Sequence, residues 1–221
     1  MSDFTITEQE LTTVFGDGLD QQFVNDTVIV LNEYRLYFGV SKRIDIVRFF
    51  AQCYHETSFY QTHTGMKPRL EENLNFSDET LFRLSRYWRT HREELAEVRK
   101  MGVLEQRKAI INRWYKDGYD WIGHGCLMVT GKENTIKCLE MIELAIKEPL
   151  LTCDESPKDG VFERYDIFWL LGLAYWRLMG GYTCNKTMDC TNKINRGLPM
   201  REKKARVRTA NRLNHKLFTI Q

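Results

Sequence analysis

Apolar residues recur at helical spacing along most of the chain, and clusters rich in Gly, Asp and Asn separate the periodic segments. The first helix is predicted to begin after Thr7, because Thr7 and Glu10 have the spacing of a capping box, and to run to about Phe15. A second helix is predicted over 22–38 and a third from Ser41. The pattern therefore favours a mainly α-helical protein.

The longest apolar stretch spans 167–176 and is broken only by Gly172. It lies within a predicted helix over 162–179, which we interpret as the buried centre of the molecule and which Gly180 and Gly181 end. The other elements that the pattern predicts are a helix capped by Ser77 with an apolar stripe over 80–88, a charged helical surface hairpin over 89–116, a helix over 134–147, a short polar turn over 190–199 and a terminal helix over about 200–217. A brief β-element over 118–130 is included, so the predicted class is mainly α with at most a small β-hairpin.

The third helix carries a candidate catalytic group. Its apolar stripe consists of Ile46, Val47, Phe50, Ala51, Cys53 and Tyr54. At about 100° per residue Glu56 lies about 280° around the helix from Ile46, beside Phe49 and at the margin of this stripe. Partial withdrawal from water disfavours the charged form of a carboxyl, so this border position would suit a proton-carrying acid. A solvated surface glutamate is the alternative interpretation.

Composition adds a core and an uneven charge. With 43% hydrophobic and 12% aromatic residues the chain can bury a sizeable core, which excludes intrinsic disorder. The net charge is +2, yet residues 201–221 sum to +6 and residues 1–200 to −4. This basic end is either a solvated terminal helix or a surface that meets an anionic polymer. The first residues lack a basic segment followed by an apolar one, so no secretory signal is predicted and synthesis in a cytoplasm is expected.

Six cysteines show neither a CxxC pair nor a Cys/His set with zinc spacing, so no structural metal is predicted. Cys53 and Cys138 lie in apolar patterns and are expected to be buried free thiols. Cys184 and Cys190 flank a short polar segment, and their spacing permits a disulfide in an oxidising compartment without requiring one.

Four glycines, at 118, 123, 125 and 131, fall within an aromatic-rich loop. Such density indicates backbone with positive φ or close approach, as in a loop that lines a substrate. A phosphate-binding loop is excluded, because the G-x-x-x-x-G-K-[ST] spacing is not met.

Five segments in order carry a family resemblance: ITEQELTTVFG, RIDIVRFFAQCYHETSFY, LEENLNFSDETL, DGYDWIGHGCLMVTGKENT and TNKINRGL. Over about residues 6–213 the chain resembles the glycoside hydrolase family 19 (chitinase-like) endolysins of bacteriophages. That family has A-Q-x-x-H-E-[ST] on a helix, then E-E-N-L-N-[FY]-S, then G-x-G-x-x-x-x-T-G and an Asn-Gly turn before a terminal helix. The resemblance implies a lysozyme-like helical fold with a cleft between two lobes. It also implies one catalytic domain over 1–221, which includes the basic terminal helix, without a separate wall-binding domain.

The resemblance implies roles for individual residues. Glu56 matches the family's general acid, Glu72 its second catalytic carboxylate and Thr130 the hydroxyl residue that helps to hold the attacking water. The residues implied to support the acid or contact the sugar are Gln52, His55, Asn73, Tyr119, Gly123, His124 and Asn195. An inverting carboxylate pair sits about 6.5–9.5 Å apart and needs no metal or organic cofactor.

The substrate implied by the resemblance is the β-1,4 bond between N-acetylmuramic acid and N-acetylglucosamine in peptidoglycan, whose anionic peptides would also attract the basic end. A monomer made in the host cytoplasm would lyse the host from the periplasm after release, without nucleic acid or membrane insertion. The chain departs from the family at His124 and Met128, where Arg and Gln are usual, and at Arg196, where Gly is usual. Two alternatives stay open: a chitinase or antibacterial effector on the same scaffold, and a non-catalytic wall-binding module.

Overall fold

The computed structural model describes residues 4–16, 18–57, 76–113 and 117–218, which form eleven α-helices and no β-strand. The helices are α1 (Glu8–Phe15), α2 (Gln21–Tyr34), α3 (Arg43–Glu56), α4 (Asp78–Leu84), α5 (Arg86–Thr90), α6 (Arg92–Val98), α7 (Val103–Asn112), α8 (Lys132–Ile146), α9 (Tyr165–Leu178), α10 (Thr187–Ile194) and α11 (Met200–Phe218). The predicted mainly α class is confirmed. The β-element expected over 118–130 consists of a single antiparallel bridge between His124 and Val129.

Helix α9 lies at the centre of the main hydrophobic core, as its apolar sequence predicts. Its residues from Ile167 to Ala174 are all buried, and α2 and α8 pack against it. The indole of Trp169 donates a hydrogen bond to Oγ1 of Thr27 on α2 at 2.6 Å, so the one polar atom of this buried ring is satisfied. Outside this layer α11 packs against α3 and α10. None of the helices in the described part of the chain is long and apolar enough to cross a membrane.

A second, smaller hydrophobic cluster is formed by α4 to α7. Leu81, Trp88, Leu95 and Ile111 are buried within it, and the Trp88 indole donates to the carbonyl of Ile110 at 3.2 Å. The segment predicted as a charged surface hairpin is therefore helical, but its helices α6 and α7 bury apolar residues against α4 and α5.

Helices α3, α8 and α9 begin two or three residues from their predicted first residues, at Arg43, Lys132 and Tyr165. Three larger differences have physical reasons. The second helix ends at Tyr34, and a turn follows that Gly39 closes with φ +84°. The apolar stripe over 80–88 is divided at Ser85, whose extended backbone ends α4 and whose hydroxyl accepts from Trp88 N to cap α5. The predicted polar turn over 190–199 was wrong in its first half, because residues up to Ile194 belong to α10. The buried residues of α10 are Cys190, Thr191 and Ile194, and so few apolar side chains give only a weak helical pattern in the sequence.

The glycine-rich loop packs so closely against α9 that there is no room for a side chain at two positions, Gly125 and Gly172. Gly125 has φ +73°, and a Cβ there would lie 2.8 Å from Cβ of Leu171 and 3.0 Å from the carbonyl oxygen of Phe168. Gly172 on α9 is the matching close contact on the helix side, because a Cβ at 172 would collide with Sγ of Cys126 in the loop. The predicted positive φ and close approach are confirmed at Gly125, and the observed partner is the central helix.

Gly172→Ala is expected to destabilise the protein by about 1–2 kcal/mol, since overpacking of about 1–3 kcal/mol outweighs the helix propensity gained. The collision with Cys126 supplies the strain, and the Phe49 ring lies 3.4 Å from the added carbon on the same face. Urea unfolding of the wild type, Gly172→Ala, Cys126→Ala and the double variant measures the coupling. In the Cys126→Ala background the second change should cost little. A Gly172→Ala protein that is more stable than wild type would contradict this packing.

Candidate functional site

Glu56 is the last residue of α3 and stands at the edge of the main core. Its side chain is 17% exposed, whereas Phe49 beside it is fully buried. Beyond it Thr57 caps the helix, donating from its hydroxyl to the carbonyl of Cys53 at 2.7 Å. The border position predicted from the helical pattern is confirmed.

A chain of polar side chains joins Glu56 to two other helices. Nη2 of Arg206 on α11 donates to Oε1 of Glu56 at 2.6 Å, and Nη1 of the same guanidinium donates to Oε1 of Gln52 at 3.0 Å. Nε2 of Gln52 donates to Oγ1 of Thr191 on α10 at 3.1 Å. The Thr191 hydroxyl donates in turn to the carbonyl of Thr187. These hydrogen bonds link α10 and α11 to the end of α3 that carries the Glu56 carboxyl group.

Most of this chain is withdrawn from water. The Arg206 side chain is 4% exposed, and Gln52 and Thr191 are fully buried. A buried guanidinium is costly unless it is paired, and Glu56 supplies the opposite charge. Glu56 therefore acts as a fixed group, and its Oε2 has no hydrogen-bond partner within the described ranges.

Arg206 was not among the predicted site residues and was counted with the basic surface of the terminal helix. The structure corrects this, because the Arg206 side chain points into the protein. The available signal was its spacing: Arg206, Ala210, Leu213 and Leu217 follow one another at helical intervals on the buried face of α11. A charged residue in an apolar stripe indicates a buried partner.

His55 lies beside this chain and faces the same helix. Its Nε2 is 2.9 Å from Oγ1 of Thr209 on α11. Burial lowers the pKa of His55 below its ordinary value, and the positive charge of Arg206 lowers it further. His55 is consequently neutral at neutral pH and able to share a hydrogen bond with Thr209. His55 therefore makes a structural contact beside Glu56, and Gln52 does the same through Thr191 and Arg206.

Tyr175 is a second neighbour of Glu56 and was also not among the predicted site residues. It lies on α9 and is half-buried. Burial raises the pKa of its hydroxyl, and the nearby groups of Cys138 and Glu56 raise this pKa further. The phenol is therefore a neutral polar group in the surroundings of Glu56.

Thr130 lies at the end of the glycine-rich loop. Its hydroxyl donates to the carbonyl of Met128 at 3.0 Å, and its own carbonyl accepts from the Asn134 side chain at 3.2 Å. Met128 has φ +49°, an uncommon conformation for a residue with a side chain. In this structure the Thr130 hydroxyl stabilises the turn that holds Met128, and no contact with Glu56 is seen among the described residues.

A separate pocket of about 730 Å³ is lined by two other residues predicted to contact the sugar, Tyr119 and His124. The His124 ring stacks on Phe162 with centroids 3.8 Å apart and an interplanar angle of 8°. Both aromatic side chains and carboxylates line this pocket, among them Tyr119, Asp120, Trp121, Asp159, Phe162 and Glu163. A size of this order fits a small ligand or one to two sugar rings. Glu56 does not line this pocket.

The remaining predicted residues fall elsewhere. Gly123 adjoins the pocket residues along the chain, and Asn195 caps the end of α10. Glu72 and Asn73 lie in 58–75, outside the described residues. The structure thus brings together Glu56, Gln52 and His55 at one place and Tyr119 and His124 at another.

The cysteines are free thiols in this structure. Cys53 and Cys138 are buried, as predicted, and Cys184 and Cys190 are not bonded to each other. Within the described ranges no group of three or more His, Cys, Asp or Glu side chains is placed to hold a metal ion.

Fold and site together define a mainly helical protein with a partly exposed glutamate fixed by a buried arginine. Comparison of the chain with known protein-family models finds no match, and a search of curated proteins also finds none.

Proposed function

We propose that the protein is a glycoside hydrolase that cleaves β-1,4 bonds of peptidoglycan between N-acetylmuramic acid and N-acetylglucosamine. The observation that carries the proposal is the Glu56 carboxyl, which is partly exposed, held through Oε1 by buried Arg206 and unpartnered at Oε2 within the described residues. The resemblance to the family 19 endolysins of bacteriophages supplies the reaction class. Host cell lysis from the periplasm, after synthesis in the cytoplasm, belongs to the same proposal.

In the proposed reaction the Glu56 carboxylate first takes up a proton from solvent on Oε2, while Oε1 stays on Arg206, and it delivers this proton to the glycosidic oxygen as the bond breaks. Glu56 becomes a carboxylate in this step, and the fixed guanidinium of Arg206 stabilises the charge that develops. Because Arg206 is itself held by Gln52, the stabilising group needs no reorganisation during the reaction.

A second carboxylate on the other face of the sugar would activate water and give inversion. The resemblance assigns this part to Glu72, and the holding of the water to Thr130. Tyr119 and His124 would bind the glycan through the pocket they line, because aromatic faces pack against sugar rings and the neighbouring carboxylates accept hydroxyl hydrogen bonds.

The test is digestion of purified sacculi, followed by separate measurement of new reducing ends and new amino termini. The proposal expects reducing ends only, and lowered turbidity of outer-membrane-permeabilised Gram-negative cells. Release of amino termini without reducing ends would identify an amidase or peptidase and would refute the proposal. Faster release from chitin than from sacculi would favour the chitinase or effector alternative, and binding to sacculi without any release would favour the wall-binding module.

The substrate's negative charge matches a basic stripe on the exposed side of α11. The stripe consists of Arg201, Lys204, Arg208, Arg212 and Lys216, all exposed and spaced by three or four residues. Its Arg212 guanidinium lies 5.2 Å from the centre of the Tyr54 ring, two residues before Glu56 on α3. An anionic polymer bound along the stripe would therefore pass beside the proposed acid.

The triple variant Arg201→Gln, Lys204→Gln, Arg208→Gln is expected to bind sacculi about tenfold more weakly at low salt, since exposed ion pairs contribute roughly 0.5 kcal/mol each. The difference from wild type should shrink as salt is raised, because exposed charges are screened. Co-sedimentation with sacculi across a salt series measures this.

The matched control removes the same charge from exposed cations elsewhere, with Arg83→Gln, Arg86→Gln and Lys186→Gln. Equal weakening in both triple variants would mean that only the net charge matters and that the stripe has no special role.

A further inference from the structure

Two thiols meet at the junction between α9 and α10. Sγ of Cys184 lies 3.8 Å from the carbonyl oxygen of Gly180, and Sγ of Cys190 lies 3.9 Å from that of Gly181. The two acceptors are consecutive, so both sulfur atoms approach the same turn. Burial, followed by the nearby thiol of Cys184, raises the pKa of Cys190. Side chains that meet at one turn can be joined by a disulfide when their sulfur atoms rotate into bonding distance.

This pair differs from the other thiols in access. Cys184 is buried but keeps 5% of its surface exposed, whereas Cys190 is fully buried. Burial, followed by the nearby thiol of Cys126, raises the pKa of Cys53, and both of these cysteines are fully buried. Cys153 is exposed and lies apart from them in the sequence. Of these two thiol pairs only Cys184 and Cys190, which we name the accessible pair, have any surface in contact with water.

The accessible pair connects parts of the structure that support Glu56. Arg48 of α3 donates to the carbonyl oxygens of Cys184 at 3.0 Å and Asn185 at 2.5 Å, which fixes the first thiol's segment against α3. On the other side Cys190 directly precedes Thr191, which holds the Gln52 side chain. A link between the two cysteines would tie α10 to the segment already anchored on α3.

We propose that Cys184 and Cys190 are a disulfide-forming site, which a disulfide-bearing oxidant closes and a thiol reductant opens. The closed form ties α10 in place behind the polar chain that ends at Glu56. The inference does not depend on the proposed glycosidase activity.

Closure takes two exchange steps. The Cys184 thiolate attacks one sulfur of the oxidant, forms a mixed disulfide and releases the first thiolate of the oxidant. Cys190 then loses its proton to solvent and attacks Sγ of Cys184, which forms the protein disulfide and expels the second thiolate. The two protein thiols are oxidised, the oxidant disulfide is reduced, and the two protons leave to solvent. Burial raises the pKa of Cys190, which makes it the second thiol to react.

The test uses the full chain with Cys153→Ser, incubated with glutathione disulfide and compared with the same protein in dithiothreitol. This protein has five thiols, and thiol titration in denaturant should find three after oxidation. Mass spectrometry of the digested protein should find Cys184 bonded to Cys190. The melting temperature should rise by about 5 °C, as closure of so short a loop predicts, and should fall back on reduction.

Two further variants, Cys184→Ser and Cys190→Ser, serve as controls and should show no such rise. Cys53 and Cys126 are an internal control that should stay reduced in the folded protein. Retention of five thiols after oxidation, a bond mapped to other cysteines, or a melting temperature that does not rise on closure would each overturn the inference.

Discussion

Glu56→Gln is expected to lower the release of reducing ends from sacculi by about 10²–10⁴-fold, the usual contribution of a general acid. The amide cannot deliver a proton to the leaving oxygen. Its carbonyl oxygen can still accept from Nη2 of Arg206, so the polar chain should be retained. The buried guanidinium loses its opposite charge, so the free energy of unfolding should fall while the protein stays folded. Initial rates on purified sacculi, with circular dichroism and sacculus binding of the same preparation, separate loss of chemistry from loss of structure.

The matched control is Glu97→Gln, the same chemical change at an exposed glutamate that pairs with Lys100 on the surface. It should leave the rate unchanged. A Glu56→Gln enzyme that is folded and keeps more than about a tenth of the wild-type rate would refute the general-acid role, because a lost proton donor costs much more.

The helices were predictable where the local sequence decides the structure. The Thr7–Glu10 capping box forms as expected and starts α1. The central helix could be predicted from its apolar run alone, because a helix that is hydrophobic on all sides has to be buried. The border position of Glu56 follows from the same periodicity.

Other features depend on competition or on distant contacts that a local pattern does not contain. Ser85 can either stay within a helix or cap the next one, and the packing of Trp88 in the second cluster favours the cap. The partner of Glu56 is 150 residues away in the sequence, so no window around Glu56 reveals Arg206. The separation of the pocket with Tyr119 and His124 from Glu56 likewise follows only from tertiary structure.

Replacement of Arg206 by Met is expected to have the largest effect on stability, a loss of about 3 kcal/mol, since removing one partner of a buried pair leaves the other uncompensated. Glu56 and Gln52 would both lose their donor, in a place where water is largely excluded. Urea unfolding measures the loss. Arg208→Met is the matched control on the same helix, because it removes an exposed guanidinium and should change the free energy of unfolding by less than about 0.5 kcal/mol.

Arg206→Lys then distinguishes charge from geometry. Lysine keeps the positive charge, but a single ammonium group does not reproduce the planar fork that reaches Gln52 and Glu56 through two nitrogen atoms. We expect an intermediate stability and a kcat well below wild type with KM little changed, because Arg206 positions the acid and does not contact the glycan. A cycle that combines Arg206→Met with Glu56→Gln should show a clear coupling energy, since each change removes the same ion pair. If Arg206→Met were as stable as Arg208→Met, the buried pair would contribute nothing to the fold, and the proposed support of Glu56 by Arg206 would be wrong.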